Sequence, residues 1–344
     1  MGNFETRMFA ELDEVSRKRW SLVEHYMEPI SGLYLEPGVT EIMVNRWDRI
    51  FVEKNGVMSL TACRFADEEA LKTLIRQIGV VLDQQKSLAS GILHARLPDQ
   101  SRACCTLESV SPYGATLTLR VAPKKHFSMQ DLVANNTLTS EAADFLAKKV
   151  AKGANIIVSG STGSGKTTLL RCLADFIDKS ERVVTCEDTQ ELLLSIPNLV
   201  SMEAPKRLHD PELTVGLSTL IETALRQNPD RIIVGEIREA LAADAFLQAI
   251  NTGHKGCATS IHANGAVEAI KRIQYLIASG GLLDYDLCGR QLVSSVDLMV
   301  HISRESVGKR IVEIAIIRDD AVNHVFKYDS STDSLQLCEH KEVQ

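Results

Sequence analysis

Long apolar runs are absent from this chain, because nowhere do its 344 residues reach the roughly 18 apolar residues in a row that a membrane-spanning helix needs. The first 20 residues, MGNFETRMFAELDEVSRKRW, also lack the continuous apolar core of a signal peptide. We therefore expect any association with a membrane to be peripheral.

Paired cysteines and an excess of one charge are missing as well. The 8 cysteines form no C-x-x-C pair and no regular spacing, which argues against a structural zinc site and a disulfide framework and favours a reducing cytoplasm. The net charge of -7 and the pI near 5.8 describe an ordinary surface with no global attraction for nucleic acid or anionic lipid. The net charge of the whole chain does not exclude a basic groove on one part of its surface.

The length and the 44% hydrophobic content are enough for two separate cores. The segment APKKHFSMQDLVANN, with its proline, lysines and polar residues, separates two halves with different patterns. We therefore predict an N-terminal domain over residues 1–122, a linker over 123–137 and a C-terminal domain over 138–344.

The first half mixes one helical pattern with short β-branched runs. Residues 1 to about 28 predict an amphipathic helix that packs on the domain, since its charges are mixed rather than basic. Its apolar positions are Phe9, Leu12, Trp20, Val23 and Tyr26. Predicted strands cover 41–45, 49–53, 102–107 and 115–121, with a turn at Asn55-Gly56 and a helix over 67–82. The pattern indicates a small α+β domain.

In the second half, apolar strands alternate with helices. The predicted strands are NIIVSG at 155–160, RVVTCE at 182–187, DRIIVGE at 230–236 and CATSIH at 257–262. Such alternation is typical of an α/β domain with a mainly parallel sheet and helices on both faces.

The sequence GSTGSGKTT, between a predicted strand and a predicted helix, is a phosphate-binding loop. Its glycines allow the backbone amides and the following helix N-terminus to point at phosphates. Lys166 is expected to bridge the β- and γ-phosphates, and Thr167 to offer its hydroxyl to Mg²⁺. The predicted cofactors are therefore ATP and Mg²⁺. The predicted nucleotide-binding residues are Ser161, Thr162, Gly163, Ser164, Gly165, Lys166, Thr167 and Thr168.

Carboxylates follow two of the predicted strands. Glu236 comes just after the buried run Ile232 to Val234, where ligands of open α/β sheets sit. Because Gly235 stands where many such ATPases have aspartate, Glu236 is predicted both to help hold hydrated Mg²⁺ and to polarise the attacking water. Glu187 is a second candidate for the metal's water shell, and its alternative is capping of the chain that follows.

Two histidines bracket the segment GHKGCATSIHANG. His262 follows an apolar strand toward the same sheet edge and is a candidate sensor of the γ-phosphate. His254, like most single histidines, also fits a structural role. Spacing alone leaves both interpretations of His262 open.

In this order, GSTGSGKTT, TCEDTQEL, RIIVGEIR and TGHKGCATSIHAN resemble the phosphate loop, aspartate box, Walker B and histidine box of the secretion traffic ATPases of type II and type IV secretion. The N-terminal segments VTEIMVN, RIFVEKNG, LPDQSRA and ATLTLRV are similar to the amino-terminal domain of that family. The resemblance thus covers nearly the whole chain, and it implies a RecA-like ATPase domain in the second half.

The resemblance also implies a homohexameric ring, with ATP held between the two domains and subunit motions driven by its hydrolysis. Arg102 and Arg120 match the paired N-terminal arginines of the family, which implies that they neutralise charge on the γ-phosphate. The implied partners are inner-membrane components and the coupling protein of a secretion system. The implied location is the cytoplasmic face of the inner membrane.

Some positions depart from the family pattern without removing a reacting group. They are Trp47, Gln100, Cys186 and Ser260. The lack of a tetracysteine motif and the compact N-terminal domain are similar to the conjugation and type IV secretion (Vir-type) branch. The pilus-retraction branch, which also lacks those cysteines, remains the alternative within the family.

Three functions of other classes also stay open at this point. A small-molecule kinase could use the same loop but would leave the first 120 or so residues unexplained. A nucleotide-gated scaffold without hydrolysis is disfavoured by Lys166, Thr167 and Glu236. A DNA-translocating motor is disfavoured by the acidic net charge, although a ring can carry a basic pore.

Overall fold

The structure is a computed structural model that describes residues 12–122, 127–204, 215–318 and 321–338. The chain divides into two compact units, residues 1–125 and 126–344. Over the described ranges, no helix is both long and apolar enough to cross a bilayer.

The first unit is a six-stranded antiparallel sheet with helices. The described helices are α1 (Glu14–Leu35), α2 (Glu68–Val81) and α3 (Gln85–Ala89). The strands are β1 (Val39–Arg46), β2 (Arg49–Lys54), β3 (Val57–Leu60), β4 (Ile92–Arg96), β5 (Arg102–Thr106) and β6 (Thr116–Arg120). Their order is β3-β2-β1-β6-β5-β4, and this arrangement confirms the predicted α+β domain.

Helix α1, Glu14–Leu35, begins and ends later in the chain than the predicted helix over residues 1 to about 28. It begins at Glu14, where the Asp13 side chain accepts a hydrogen bond from the Ser16 amide, and it runs through Pro29 to Leu35. The helix continues to Leu35 because apolar residues at helical spacing continue to pack into the core. These buried residues are Trp20, Val23, Met27, Ile30 and Tyr34. The packed interpretation of this helix is confirmed, whereas Phe9 lies outside the described residues.

The predicted turn at Asn55-Gly56 joins β2 to β3. The two residues have φ values of 51° and 80°, which suit a two-residue hairpin because its twist matches that of the flanking strands. This hairpin forms the β3 edge of the first sheet.

The second unit is an α/β domain. Its described helices are α4 (Met129–Ala134), α5 (Ser140–Ala151), α6 (Lys166–Ala174), α7 (Leu217–Ala224), α8 (Ala240–Asn251), α9 (Ala266–Ser279) and α10 (Tyr285–Ser295). Its strands are β7 (Ile156–Ser159), β8 (Val183–Glu187), β9 (Leu199–Glu203), β10 (Arg231–Ile237), β11 (Ala258–Ile261), β12 (Leu298–Glu305), β13 (Gly308–Arg318), β14 (Ala321–Asp329) and β15 (Ser334–Leu337).

These nine strands form one sheet in the order β15-β14-β13-β12-β7-β11-β10-β8-β9. The pairings from β12 to β9 are parallel, and β13, β14 and β15 add an antiparallel extension at the other edge. The mainly parallel sheet was predicted, and the extension was not. In consequence, the C-terminal ends of β7, β11, β10 and β8 lie side by side.

Helices cover both faces of this sheet, as predicted. One apolar core joins the sheet to α7, α8, α9 and α10, and the other joins it to α4, α5 and α6. Along β10 the side chains alternate between these cores, with Ile232 and Val234 in the first and Ile233 in the second. A strand buried on both faces is expected to be continuously apolar, which is how the run Ile232 to Val234 reads in the sequence.

The predicted linker differs from the structure over residues 129–134, which form helix α4 within the second unit. Ser128 and Asp131 make a capping box that starts the helix. Met129 and Leu132 are buried in the core beside α5 and α6. Polar composition indicated a linker here, but a good cap and two apolar contacts make a helix.

Candidate nucleotide-binding site

The predicted phosphate loop connects β7 to α6. Strand β7 ends at Ser159, and α6 begins at Lys166, with Gly165 at its N-cap in a left-handed conformation, φ 109°. Only glycine adopts that backbone without strain. The turn leaves the amides at the start of α6 free of partners within the helix, so they and the helix dipole favour an anion there.

Lys166 is folded back against its own loop. Its ammonium donates to the carbonyl oxygens of Gly160 and Ser161, each at 3.1 Å, and lies 3.9 Å from a Glu236 carboxylate oxygen. Burial lowers its pKa, while the negative charge of Glu236 opposes that effect. The side chain is only 7% exposed, so its charge acts inside the site.

Glu236 and His262 meet beside that ammonium. The ammonium lies 3.3 Å from His262 Nδ1, and since an ammonium can only donate, Nδ1 accepts and Nε2 carries the proton. Nε2 lies 2.5 Å from Glu236 Oε1. The N–H bond does not point at Oε1, so this close contact is not a hydrogen bond. The buried Oε1 atom accepts no hydrogen bond from the described residues. The structure thus brings together three of the predicted site residues and leaves one carboxylate oxygen able to accept a hydrogen bond.

The prediction that Glu236 lies past the end of its strand is wrong, because Glu236 is the last residue but one of β10. Strand β10 continues to Ile237, because after an irregularity following Val234 it pairs again with β11 through Ile237 and Ile261. Arg238 follows the end of this strand directly, and its guanidinium donates a hydrogen bond to Glu236 Oε2 at 2.5 Å. This arginine ends the motif RIIVGEIR and had no predicted role, although a spacing of two residues in extended chain predicts that both side chains share a face.

Glu187 has a different environment at the end of β8. Its side chain is buried, and Oε1 accepts hydrogen bonds from the amides of Glu191 at 2.8 Å and Leu192 at 3.1 Å. Burial raises its pKa to about 7, against the effect of those two amides. The next residue, Leu193, has φ of 44°, an uncommon conformation for a bulky side chain. Glu187 therefore anchors the irregular chain after β8, the capping alternative considered in the sequence.

Gly235 separates the two carboxylates. A Cβ at this position would lie 3.0 Å from Glu187 Cγ, so an aspartate could not stand here without moving Glu187. The Ser260 hydroxyl donates to the Gly235 carbonyl at 2.7 Å in a fully buried setting. Ser260, a departure from the family pattern, thus ties β11 to the segment that carries Glu236.

The Thr167 hydroxyl faces a single carboxylate. It lies 3.4 Å from Glu191 Oε2, a long hydrogen bond. No cluster of three or more acidic, histidine or cysteine ligands occurs in the described part of the chain. Through Glu191, Thr167 contacts the chain after β8 that Glu187 anchors.

A cavity of about 540 Å³ adjoins the loop on the side of the histidine box. Its lining includes Gly160, Ser161, Thr162, His262, Asn264 and Lys271. His254 does not join this group, since its Nδ1 lies 3.2 Å from the Thr252 hydroxyl in the turn before β11.

Arg102 and Arg120 lie in the first unit, directly opposite each other on β5 and β6. Directly opposed residues of an antiparallel pair project from the same face, so the two guanidinium groups share one side of the sheet. Arg96 faces Arg102 on the neighbouring strand β4, which extends the pair to a row of three arginines. Arg96 could not be predicted as part of this row, because only the register of β4 and β5 places it there.

Two other departures from the family pattern have a structural explanation. Gln100 has φ of 70°, the left-handed region in which glycine is favoured, which accounts for the usual glycine at this turn. Cys186 is fully buried in β8, and burial raises the pKa of its thiol to about 12, so it is a core residue rather than a reactive one.

Comparison with known proteins finds relatives along most of this chain. A putative conjugal transfer protein of Mycobacterium tuberculosis is 33% identical over 288 residues, which cover 82% of this chain and 81% of that protein. The conjugal transfer protein TrbB of Rhizobium radiobacter is 32% identical and covers 83% and 86%. The type IV secretion system protein VirB11 of Bartonella quintana is 29% identical over 89% and 96%.

Two solved structures share the fold. The pilus retraction motor PilT with bound ADP has a TM-score of 0.63 at 21% identity, over 86% of this chain and 83% of its own. The Legionella pneumophila ATPase DotB has a TM-score of 0.59 at 20% identity, over 87% and 81%. At such identities they support the α/β fold class and nothing finer.

A family model described as type II/IV secretion system protein matches residues 24–338. The relatives named above confirm the resemblance and its Vir-type branch. On this evidence the chain is a member of the type II/IV secretion system protein family.

Proposed function

We propose that this protein is an ATPase that hydrolyses ATP with Mg²⁺ and powers assembly of, or substrate transfer through, a type IV secretion or conjugation system. The names of its relatives support the process. The observation that carries the chemistry is the Glu236 carboxylate, which lies next to Lys166 and His262 and keeps Oε1 without a hydrogen bond among the described residues.

Each side chain at the strand ends has a task in this proposal. Lys166 exchanges its carbonyl partners for the β- and γ-phosphates when nucleotide binds. Glu236 Oε1 accepts a hydrogen bond from the attacking water and orients it. His262, whose Nε2 lies 2.5 Å from Glu236 Oε1, senses whether the γ-phosphate is present. Glu187 contributes by fixing the chain that carries Glu191.

The residues present fit Mg²⁺. Thr167 offers its hydroxyl and Glu236 its carboxylate, and Ser164 has a buried hydroxyl with no partner in the described residues, as expected for a loop built around a polar ligand. When bound, the ion would neutralise charge on the phosphate oxygens. Ser161, Thr162, Gly163, Gly165 and Thr168 complete the proposed binding loop.

The assembly and its location belong to the same proposal. We infer a homohexamer that works at the cytoplasmic face of the inner membrane, in contact with inner-membrane components and the coupling protein of the system. The ring would be tightened by nucleotide, because a ligand that binds one subunit geometry better shifts the population toward it.

The first experiment measures ATP turnover by the purified protein with Mg²⁺ and no added acceptor. Wild type should release phosphate, and Lys166→Ala should lose nucleotide binding at least about 100-fold, because the β- and γ-phosphates lose their buried counter-charge. Lys149→Ala, which removes a lysine of α5, is the control. Turnover that requires an acceptor would replace this proposal with a kinase.

The mass of the particle in solution, measured with ATP present, tests the proposed ring of six subunits.

A second experiment tests Arg102 and Arg120 as stabilisers of the γ-phosphate. Alanine at either position should lower kcat more than nucleotide affinity, since their charge matters most as the phosphoryl group dissociates. Lysine should rescue poorly because it lacks the planar fork of two donors. Arg76→Ala, at an exposed arginine of α2, is the control. If both alanine variants turn over like the control, the arginines have no part in catalysis.

A further inference from the structure

The hairpin between β12 and β13 runs alongside the phosphate loop. A Cβ at Gly160 would collide with the carbonyl oxygen of Ile302, and one at Gly165 would lie 3.4 Å from Ile302 Cδ1 and 3.5 Å from Lys309 Cδ. The two segments are therefore packed together, and the absence of side chains at these glycines makes that approach feasible. Any group on this face of the hairpin is close to the loop.

Two cations occupy this face. Arg304 on β12 pairs with Lys309 on β13, and residues directly opposite in an antiparallel ladder project to the same side. Like charges in such positions repel each other. In the described part of the chain, neither side chain forms a salt bridge. No carboxylate among the described residues therefore forms an ion pair that would relieve this repulsion.

The position of the Lys309 ammonium adds to this conflict. Its Nζ lies 3.8 Å from the point where a Cβ of Gly165 would stand, beside the N-terminus of α6. That end of a helix already carries positive partial charge, so a cation there is unfavourable unless an anion also binds. Lys309 as a whole residue is exposed, but its ammonium is partly shielded from water by the loop. This burial lowers the pKa of Lys309, and the positive charge of Arg304 lowers it further.

A second observation, on Ser164 of the same loop, also points to a polar ligand. The Ser164 hydroxyl is fully buried, and no hydrogen-bond partner for it exists among the described residues. Native proteins rarely leave such groups unpaired. An ammonium 3.8 Å from the Cβ position of Gly165 and an unpaired hydroxyl on the preceding residue, Ser164, are together suited to binding phosphate oxygens.

We propose that Lys309 is a further nucleotide-binding residue of this site and that its ammonium contacts phosphate oxygens of the bound nucleoside polyphosphate, with Arg304 strengthening the field. The inference rests on the proposed function. It adds the β12–β13 hairpin, from the far end of the sequence, to a site otherwise formed by the parallel strands. A pair of like cations recognises an anion, so the contact is to phosphate rather than to the base.

The test is nucleotide affinity, measured by displacement of a fluorescent ATP analogue with ATP and with ADP. Lys309→Ala should weaken both nucleotides roughly tenfold, the effect of losing one charged hydrogen bond of about 1.4 kcal/mol. Lys309→Arg should retain most of the affinity because it keeps the charge. Lys327→Ala, which removes an exposed lysine of β14, should bind like wild type.

Turnover provides the second measurement. Lys309→Ala should raise KM and leave kcat near the wild-type value, because its contact is present in the ground state and the transition state alike. Affinity equal to that of Lys327→Ala, or tighter than wild type, would overturn the role. An arginine variant as weak as the alanine variant would also overturn it, since charge would then not be the cause.

The same measurements separate this inference from the proposed function. If wild type binds ATP and Lys166→Ala does not, while Lys309→Ala matches wild type, only the role of Lys309 fails. If wild type binds neither nucleotide, the proposed function fails and this role with it.

Discussion

Glu187 is the last residue of β8 and Glu236 the last but one of the parallel neighbour β10, yet the two carboxylates differ in burial, hydrogen bonds and nearby charges. Glu187 is buried, accepts two backbone amides and has a pKa raised by burial to about 7. Glu236 lies among Lys166, His262 and Arg238 and keeps one oxygen without a hydrogen bond among the described residues. A carboxylate that already binds the backbone holds the chain in place, whereas one beside two cations and able to accept a further hydrogen bond is suited to a reacting water.

The largest effect is expected from Glu236→Gln. The amide keeps the size of the side chain but loses the charge that orients and activates water, so kcat should fall roughly 10²- to 10⁴-fold while ATP still binds. Steady-state turnover and nucleotide affinity, measured together, check this. Glu239→Gln, at the N-cap of α8, is the matched control. Unchanged turnover would reverse the comparison and transfer the role to Glu187.

A smaller effect is expected from Glu187→Gln, and it should appear in stability. Because the folded pKa is raised from 4.5 to about 7, the folded state binds the proton more tightly, so this stabilisation is present below pH 4.5 and is lost as the pH rises through 7. At 1.36 kcal/mol per unit, the loss is about 3 kcal/mol. The glutamine variant, which stays neutral, should lack this pH dependence.

Thermal unfolding of wild type and Glu187→Gln between pH 5 and pH 8 measures that difference. The variant should gain in midpoint relative to wild type as the pH rises, while Glu222→Gln, at an exposed position of α7, should follow wild type. A constant difference across the range would mean that the carboxylate ionises as easily as an exposed one, and the contrast with Glu236 would lose its basis.

The smallest effect is expected from Ser260→Ala, which acts on the segment between the two carboxylates. Loss of the hydrogen bond to the Gly235 carbonyl should cost about 0.5–1.5 kcal/mol in the free energy of unfolding. Turnover should fall only a few-fold, since Glu236 loses support for its backbone but keeps its partners. Ser306→Ala, in the turn between β12 and β13, serves as control. Turnover as low as that of Glu236→Gln would show that the serine does more than support the strand.

Much of the fold could be predicted because its signals are local. The Asn55-Gly56 turn, the buried run Ile232 to Val234 and the strand, loop and helix around Lys166 follow from backbone preferences and periodicity over a few residues. Helix α4 was missed because polar composition outweighed its short capping signal. The antiparallel strands β13 to β15 were missed because nothing in their pattern fixed their place at the sheet edge.

The site divides along the same line. By itself the sequence determined which residues are candidates, since it places a phosphate loop, a carboxylate and a histidine at or near the ends of predicted parallel strands, where ligands of such sheets bind. Only the tertiary structure decided which carboxylate binds the backbone, which one faces Lys166, and that Lys309 reaches the loop. The physical reason is distance along the chain, because strand order and register, and not neighbouring residues, bring positions 166, 236, 262 and 309 together.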